Sequence, residues 1–185
     1  MKKSLTIIIV TFNSSEVIGK CLENLDADKY DILVIDNASS DDTCKIVENS
    51  FPKVEIIRND KNLGYGRANN IGLRQANTDF ALILNPDAFI FEEDIKICLD
   101  LLKKNQDIAL ANTKTFQNID QSNAAKLQEP LIQNINFSFG GVLFMNMSIF
   151  RKIGFFDENF FMFAEDNELS DRAIKNGYRN VIINA

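Results

Sequence analysis

The stretch FALILNPD, residues 80–87, contains a run of apolar residues that stops at an Asn-Pro-Asp turn. Every position from Phe80 to Leu84 is apolar, which is typical of a strand buried on both faces. Pro86 has no backbone N–H to donate, so a strand should end there. The stretch therefore predicts a central strand of a parallel sheet, with a carboxylate, Asp87, just beyond its carboxyl end.

Strand and helix patterns alternate on both sides of this stretch. Apolar, β-branched runs predict strands over residues 5–10, 31–36, 54–59, 80–85, 108–112, 137–146 and 178–184. Apolar residues at helical spacing predict helices over residues 16–25, 40–51, 66–76, 92–105, 148–154 and 165–177. Such alternation indicates an α/β fold of the Rossmann-like three-layer kind, with a mostly parallel central sheet flanked by helices. Residues 113–136 are polar and rich in Asn and Gln, and we expect an irregular segment there.

Composition narrows the class of protein. The 185 residues are 45% apolar and 25% charged, which favours a single domain over residues 1–185. The net charge is −6 and no block of Lys or Arg occurs, so a nucleic-acid partner is disfavoured. The sequence contains no His and only three widely spaced Cys, which we interpret as reduced thiols. His-based zinc sites, Ser-His-Asp triads and Cys-His dyads are thereby excluded.

Ligands of open α/β sheets bind beyond the carboxyl ends of the strands. Thr11, Phe12 and Asn13 follow the first predicted strand, and Asp36 and Asn37 follow the second. Asp36 could accept hydrogen bonds from a ribose or a base, or it could simply end a strand before a capped helix. The loop after the first strand contains a single, late glycine. Because dinucleotide binding needs G-x-G-x-x-G at that place, a nicotinamide cofactor is disfavoured.

The two following loops also carry polar candidates, each with two interpretations. In NLGYGRANNIG, residues 62–72, the glycines permit close backbone approach and Arg67 could reach a phosphate, but a loop with a helix start explains part of the pattern. Asp87 could bind Mg²⁺ or Mn²⁺ together with substrate phosphates. It could equally belong to a type I turn with no further role.

The segment FFDENFFMFAEDNELSDR, residues 155–172, places acids directly after a run of bulky apolar residues. Acids in the first turn of a helix stabilise its dipole, which is one interpretation. A carboxylate beside an apolar wall would also be partly desolvated, and the raised pKa suits a general base. Glu165 and Asp166 are adjacent and point about 100° apart on a helix, so only one of them faces a given point squarely.

Six motifs occur in the order IIIVTFN, VIDNASSD, NLGYGRANN, LILNPD, FSFGGVLFMN and FFMFAEDNELSDR. Over nearly the whole chain they resemble the family-2 glycosyltransferases with the GT-A fold, and especially the rhamnosyltransferase-like branch. The resemblance implies a single GT-A domain over residues 1–185 that lacks the family's C-terminal extension. It also implies inverting transfer of a sugar from a dTDP- or UDP-sugar to an acceptor hydroxyl, in bacterial surface polysaccharide synthesis. The implied acceptor is a saccharide or lipid-linked saccharide. The implied place is the cytoplasm, with peripheral association at the inner face of the membrane.

The resemblance also assigns roles by position. The base and ribose would be held by Thr11, Phe12, Asp36 and Asn37, with Asn13 as a further substrate-binding residue. The nucleotide-sugar pocket would be lined by Gly64, Arg67 and Asn70. Close approach to the donor or acceptor would be permitted by Gly140 and Gly141. The catalytic pair would be Asp166, as the base, and Glu165, which would support or orient it. The family's Asp-x-Asp metal motif corresponds to Asn85 and Asp87, with Asp87 as the ligand of Mg²⁺ or Mn²⁺.

Two departures from the family pattern keep other functions in view. Asn85 replaces the first acid of Asp-x-Asp, and the chain lacks the His that family members often supply as a metal ligand. A nucleotide-sugar-binding domain without catalysis is therefore an alternative. A nucleotidyltransferase is a second alternative, although such enzymes usually place a Gly-rich, Arg-containing loop where this sequence has TFNSSE.

Overall fold

The computed structural model describes residues 3–113 and 131–184. The strands of this part of the chain are β1 (Leu5–Thr11), β2 (Asp31–Asp36), β3 (Glu55–Arg58), β4 (Phe80–Leu84), β5 (Ile108–Thr113), β6 (Leu131–Ile135), β7 (Val142–Asn146) and β8 (Arg179–Asn184). Its helices are α1 (Ile18–Glu23), α2 (Thr43–Ser50), α3 (Tyr65–Gln75), α4 (Glu92–Lys104), α5 (Met147–Ile153) and α6 (Glu165–Lys175). Most of the predicted elements are therefore present, with shifted ends.

All described strands belong to one sheet in the order β3-β2-β1-β4-β7-β5-β8-β6. β1 pairs in parallel with β2 and β4, β2 with β3, and β5 with β8. β7 runs antiparallel to both β4 and β5, and β6 runs antiparallel to β8. The prediction of a mostly parallel central sheet is confirmed, and its antiparallel pairings are confined to the half built by the second part of the chain.

Helices cover both faces of the sheet, as the three-layer prediction requires. Successive strand residues point to opposite faces, so Ile7 and Ile9 of β1 enter one core and Ile8 enters the other. The first core is closed by α1, α2 and α4 through apolar residues such as Leu22, and the second by α3, α5 and α6. Burial on both faces explains why the central strands read as continuous apolar runs.

Two sequence predictions need correction in the region before β7. Residues 131–135 form strand β6, although the polar composition of 113–136 predicted an irregular segment; residues 114–130 lie outside the described part of the chain. The strand predicted over 137–146 begins only at Val142. Asn112 explains the late start, because its side chain donates to the carbonyls of Phe139 and Val142, both at 2.7 Å, and accepts from Phe139 N at 3.1 Å.

The cysteines have the reduced state that the sequence indicated. Cys21, Cys44 and Cys98 are free thiols on α1, α2 and α4. Burial is the main cause that raises the pKa of Cys21 to about 12, so this thiol is protonated at neutral pH. Within residues 3–113 and 131–184, no helix is long and apolar enough to span a bilayer.

Candidate functional site

A cleft of about 690 Å³ opens beyond the carboxyl ends of β1, β2 and β4. This is the edge of the sheet where an α/β fold places its ligands, because parallel strands bring their following loops together there. The cleft collects ten of the predicted site residues: Phe12, Asn13, Asn37, Gly64, Asn85, Asp87, Gly140, Gly141, Glu165 and Asp166. These residues are up to 154 positions apart in the chain.

Thr11 and Asp36, which were predicted to bind the base and ribose, lie outside the cleft lining. Both are buried, and the Thr11 hydroxyl donates to Asp36 Oδ1 at 3.0 Å. The other carboxylate oxygen accepts from Ser39 N at 2.9 Å. These contacts tie the ends of β1 and β2 to the turn that follows β2, which supports the interpretation of Asp36 as a strand-ending residue.

Arg67 and Asn70, predicted to line the nucleotide-sugar pocket, also lie outside the cleft lining. Arg67 Nε donates to the Glu158 carbonyl at 2.6 Å. The buried Asn70 amide donates to the Phe156 carbonyl at 2.9 Å and accepts from Phe156 N at 3.0 Å. The Arg and Asn side chains of α3 therefore hold the segment before α6 in place. That segment has no regular secondary structure, so its backbone groups need side chains as hydrogen-bond partners.

The side of the cleft that carries Asn13 and Asn37 is held by internal hydrogen bonds. Asn37 is buried; its amide donates to the Gly64 carbonyl at 3.2 Å and its oxygen accepts from Asn59 Nδ2 at 2.9 Å. The Asn13 side chain accepts from Ser40 N at 2.8 Å. These contacts fix the loops after β1, β2 and β3 relative to one another before any ligand binds.

Asp41 is a cleft residue that the sequence did not single out. Its carboxylate accepts from Ser15 N and from Thr43 N, each at 3.0 Å, and so joins the loops after β1 and β2. Burial raises the pKa of Asp41, but the hydrogen bonds from Thr43 and Ser15 together outweigh this and leave the pKa well below its usual range. Thr43 lies two residues after Asp41, the spacing of an Asx-turn, but Ser15 lies 26 residues before it, and no local pattern marks that contact.

Gly64 joins the two sides of the cleft. Its φ is +83°, and a Cβ at this position would lie 2.2 Å from the Phe161 carbonyl oxygen. The next residue, Tyr65, donates its backbone N–H to the same oxygen at 3.0 Å. Only glycine combines this backbone conformation with so close an approach.

Tyr65 is a second cleft residue that the sequence did not single out. Its hydroxyl donates to the Gly140 carbonyl, and its ring meets Phe156 edge to face at 6.1 Å. Burial raises the pKa of Tyr65, and the charges of Glu165 and Asp166 raise it further. Tyr65 therefore stays protonated at neutral pH as a hydrogen-bond donor that fixes the Gly140 backbone at the cleft wall.

The Asn85-Pro86-Asp87 turn places one carboxylate at the mouth of the cleft. Ala88 N donates to the Asn85 carbonyl at 3.0 Å, and Asn85 N donates to the Gly141 carbonyl at 2.9 Å. The exposed Asp87 carboxylate accepts no hydrogen bond from the described residues. Its oxygens and the neighbouring Asn85 amide are ligands that suit Mg²⁺ or Mn²⁺. No three His, Cys, Asp or Glu of residues 3–113 and 131–184 form a complete metal site, so substrate oxygens and water would have to complete the coordination.

Glu165 and Asp166 begin helix α6 and both line the cleft, but their surroundings differ. Glu165 is 6% exposed, and within the described chain its Oε2 has no hydrogen-bond partner. Burial raises the pKa of Glu165, and the charge of Asp166 raises it further. Asp166 is partly exposed and accepts from Asn167 N at 2.8 Å. The desolvated carboxylate of the pair is thus Glu165.

The apolar run before these acids is itself largely open to solvent. Phe161, Met162 and Phe163 are all at least half exposed. Phe163 and Ala164 both have φ of +69°, an uncommon backbone conformation for residues other than glycine. The chain turns sharply here: Glu165 is buried, whereas Met162 and Phe163 line the cleft with at least half of their surface exposed.

Comparison with known proteins agrees with this geometry. The family described as Glycosyl transferase family 2 matches residues 6–166, so the chain belongs to this family. The hexosyltransferase Agl10 of low-salt glycan biosynthesis in Haloferax volcanii is 28% identical over 94% of this chain and 62% of its own length.

Two solved structures share the GT-A fold with this chain. A mannosyltransferase from Pyrobaculum calidifontis, in complex with GDP-Man and Mn²⁺, has a TM-score of 0.79 and 18% identity over 99% of this chain and 56% of its own. Staphylococcus aureus TarS 1-349, in complex with UDP-GlcNAc, has a TM-score of 0.73 and 20% identity over 97% of this chain and 55% of its own. The chain spans less than two thirds of the length of each of these proteins.

Proposed function

We propose that this chain is the donor-binding and catalytic domain of an inverting glycosyltransferase of the rhamnosyltransferase-like branch. It would move a sugar from a dTDP- or UDP-sugar to an acceptor hydroxyl in the synthesis of a bacterial surface polysaccharide. One observation carries the proposal: a single cleft holds the loops after β1 and β2, the Asp87 carboxylate, and the Glu165–Asp166 pair.

The proposed donor lies with its nucleoside on the side of the cleft formed by Phe12, Asn13 and Asn37. Phe12 is half exposed and offers a ring face on which a base can stack. The internal hydrogen bonds of Asn13 and Asn37 hold this side rigid, which lowers the entropy lost on binding. Nucleotide sugars are bound by the two structural neighbours described above, which supports this class of donor.

Asp87 would hold a divalent cation beside the donor diphosphate. Such a cation neutralises charge that develops on a leaving diphosphate. Asp87 is suited to this role because it is exposed at the mouth of the cleft and none of the described residues donates a hydrogen bond to its carboxylate. With Asn85 in place of a second acid, the motif provides one anionic ligand, so we expect modest cation affinity in the absence of nucleotide.

Asp166 is the proposed general base. It would take the proton of the acceptor hydroxyl while the acceptor oxygen forms a bond to the anomeric carbon of the donor sugar. The bond from that carbon to the diphosphate oxygen breaks, its electron pair leaves with the nucleotide, and the configuration inverts. Ser170 Oγ donates to the Asp166 carbonyl at 2.7 Å and accepts from Ser138 N at 3.0 Å, which fixes the first turn of α6. Glu165 would support or orient Asp166 from the buried side.

The proposed acceptor is a saccharide or a lipid-linked saccharide, and the proposed place is the cytoplasm, at the inner face of the membrane. The glycan-biosynthesis relative in Haloferax volcanii supports glycan synthesis as the process.

Calorimetric titration of the whole chain with UDP, dTDP and GDP, each with and without Mn²⁺, tests the proposal. We expect one nucleotide to bind, Mn²⁺ to tighten its binding, and Asp87→Ala to remove that gain, because carboxylate and phosphate oxygens together hold such a cation. Asp42→Ala is the matched control, because Asp42 is an exposed acid paired with Lys45 outside the cleft lining.

The other outcomes separate the alternatives. Nucleotide binding that is equally tight with and without Mn²⁺ would show that Asp87 is not a cation ligand. Binding without turnover of any nucleotide sugar would favour a non-catalytic domain, and release of pyrophosphate from a nucleoside triphosphate would favour a nucleotidyltransferase. If no nucleotide binds, the proposed function is wrong.

A further inference from the structure

A short segment between β6 and β7 is attached to both walls of the cleft. The segment consists of Ser138, Phe139, Gly140 and Gly141, lies outside any helix or strand, and is named the bridge. Gly140 and Gly141 line the cleft, and Ser138 is buried. Buried backbone groups outside helices and strands need partners elsewhere, so the partners of the bridge show which elements it joins.

One end of the bridge is attached to helix α6. Ser138 N donates to Ser170 Oγ at 3.0 Å, and the same hydroxyl donates to the Asp166 carbonyl at 2.7 Å. A serine hydroxyl bonded to the carbonyl four residues earlier is ordinary in a helix. Here that oxygen also accepts from the bridge, so Asp166 and the bridge share one anchoring atom. The Ser170 carbonyl in turn accepts from the buried Asn180 amide at 2.9 Å, which ties this part of α6 to β8.

The other end of the bridge is attached to the turn that carries Asp87. Asn85 N donates to the Gly141 carbonyl at 2.9 Å. Both residues line the cleft, as Asp87 does. The bridge therefore runs from the helix of the proposed base to the turn of the proposed cation ligand. In the proposed displacement these two groups act on opposite sides of the reacting carbon.

The middle of the bridge is fixed by two further side chains. The buried Asn112 of β5 accepts from Phe139 N at 3.1 Å and donates to the Phe139 carbonyl at 2.7 Å. Tyr65 of α3 donates its hydroxyl to the Gly140 carbonyl, and a Cβ on Gly140 would lie 2.8 Å from that hydroxyl oxygen. Because four different elements hold four successive residues, a shift at one contact is passed along the bridge to the others.

We propose that the bridge sets the distance between Asp166 and the Asn85–Asp87 turn, with Ser170 and Tyr65 as positioning residues for the transfer reaction; this inference rests on the proposed function. Ser170 is fully buried, so it cannot touch a ligand and acts only through Asp166 and the bridge. Sugar transfer needs the acceptor oxygen, the anomeric carbon and the leaving oxygen in line, and a misplacement of about 1 Å can lower such a rate about 100-fold.

The first test asks whether the bridge behaves as one unit, and it needs no substrate. Tyr65→Phe removes only the hydroxyl that binds Gly140 and leaves the ring in place. We expect the backbone N–H groups of Ser138 and Phe139 to exchange with D₂O about tenfold faster in this variant, as measured by NMR. Tyr178→Phe is the matched control, because Tyr178 is a half-buried tyrosine of the same core outside the cleft lining.

The second test separates positioning from stability. Release of nucleoside diphosphate from UDP-, dTDP- and GDP-sugars is measured for Tyr65→Phe, Ser170→Ala and the double variant. We expect each single substitution to lower kcat about 10- to 100-fold, because the reacting groups are no longer held in line. The donor KM and the nucleotide Kd should stay within about twofold, and the double variant should lose less than the product of the two single losses.

Thr6→Val is the control for stability in the second test. It removes a buried hydroxyl that pairs with Thr78 at 2.7 Å near the amino end of β1, at the edge of the sheet opposite the cleft. This variant should be destabilised in urea, as Ser170→Ala should be, while its kcat stays unchanged.

Each other result overturns the inference. Unchanged exchange at Ser138 and Phe139 in Tyr65→Phe would show that the bridge is not one unit. Turnover of Ser170→Ala equal to that of Thr6→Val would leave Ser170 a structural role alone, and losses that multiply fully in the double variant would show that the two hydroxyls act separately. These results leave the proposed function standing. If the unchanged chain binds a nucleotide but turns over no donor, the catalytic function is refuted and the positioning role with it.

Discussion

The two sides of the cleft are built in opposite ways. On the side that follows β1 and β2, the polar side chains Asn13, Asn37 and Asp41 all have partners inside the protein. On the side that leads into α6, Glu165 keeps one oxygen without a partner in the described chain, and Phe163 stands exposed on a backbone with positive φ. The polar groups of the first side are satisfied by the protein itself, whereas the second side has a buried carboxylate oxygen without a partner among the described residues.

This difference fits a division of labour in the proposed reaction. A rigid, satisfied surface recognises a constant group such as a nucleotide at a small entropy cost. Unsatisfied groups gain the most when substrate displaces water, so they are suited to the reacting end of the acceptor. Gly64 and Tyr65 connect the two sides, because the former touches the Phe161 carbonyl and the latter binds Gly140.

The largest expected effect comes from Asp166→Asn, which should separate the two sides functionally. Loss of a general base should lower sugar transfer about 100- to 10,000-fold, while nucleotide binding on the opposite side stays unchanged. The measurement is the release of nucleoside diphosphate from sugar donors that carry the nucleotide selected by the titrations. Nucleotide binding to the same variant is measured in parallel.

Asp171→Asn is the control for that substitution, since Asp171 lies on the same helix and pairs with Lys175. Its turnover should match that of the unchanged chain. Full transfer activity in Asp166→Asn would show that another group, with Glu165 as the first candidate, accepts the proton.

The next effect concerns the connection between the sides. Gly64→Ala should lower the free energy of unfolding by about 3 kcal/mol, because the substitution combines a strained φ with a Cβ placed on the Phe161 carbonyl. Gly177→Ala has the same φ of +83° but open space around its Cβ, so it should cost only about 1 kcal/mol. Urea unfolding of both variants measures the difference, and equal losses would show that the contact at Phe161 is unimportant.

The smallest expected effect is the pH dependence of stability that Glu165 contributes. Its folded pKa lies above its unfolded value, so its contribution is complete below the unfolded value and is lost as pH rises through the folded one. Gln cannot ionise, so Glu165→Gln should not lose this stability. Its free energy of unfolding should exceed that of the unchanged chain by an amount that grows as the pH rises above the ordinary pKa range of Glu and stays at about 1 kcal/mol or less. Thermal unfolding from pH 4 to pH 8 would show parallel curves if Glu165 were not the source.

Much of the fold could be predicted from local pattern. The continuous apolar runs of β1, β2 and β4 require burial on both faces of each strand, which two helical layers provide. All three strands lie between such layers. β6 was missed because LIQNI is short and half polar, and its pairing with β8 depends on a neighbour about 50 residues away. The antiparallel direction of β7 was equally hidden, since direction is set by the partner strands and leaves no periodic mark.

The candidate site was predicted unevenly for the same reason. The positions at strand ends, such as Asn37 and Asp87, reach the cleft because a parallel sheet gathers them there. Arg67 and Asn70 have hydrogen-bond donors that suit a nucleotide-sugar pocket, but they contact the 156–158 backbone instead. Composition cannot tell a side chain that binds a ligand from one that binds the protein's own backbone, because both need the same donors and acceptors.

The sequence by itself determined the layered α/β architecture, the edge of the sheet that carries the cleft, and the acids and glycines that surround it. These follow from periodicity and from chain breaks, which are local properties. Only the tertiary structure decided that Glu165 is the desolvated member of its pair, that Gly64 fits against Phe161, and that Met162 and Phe163 stay at least half exposed. Burial, close contact and direction depend on what lies opposite in space, and residues distant in the chain supply it.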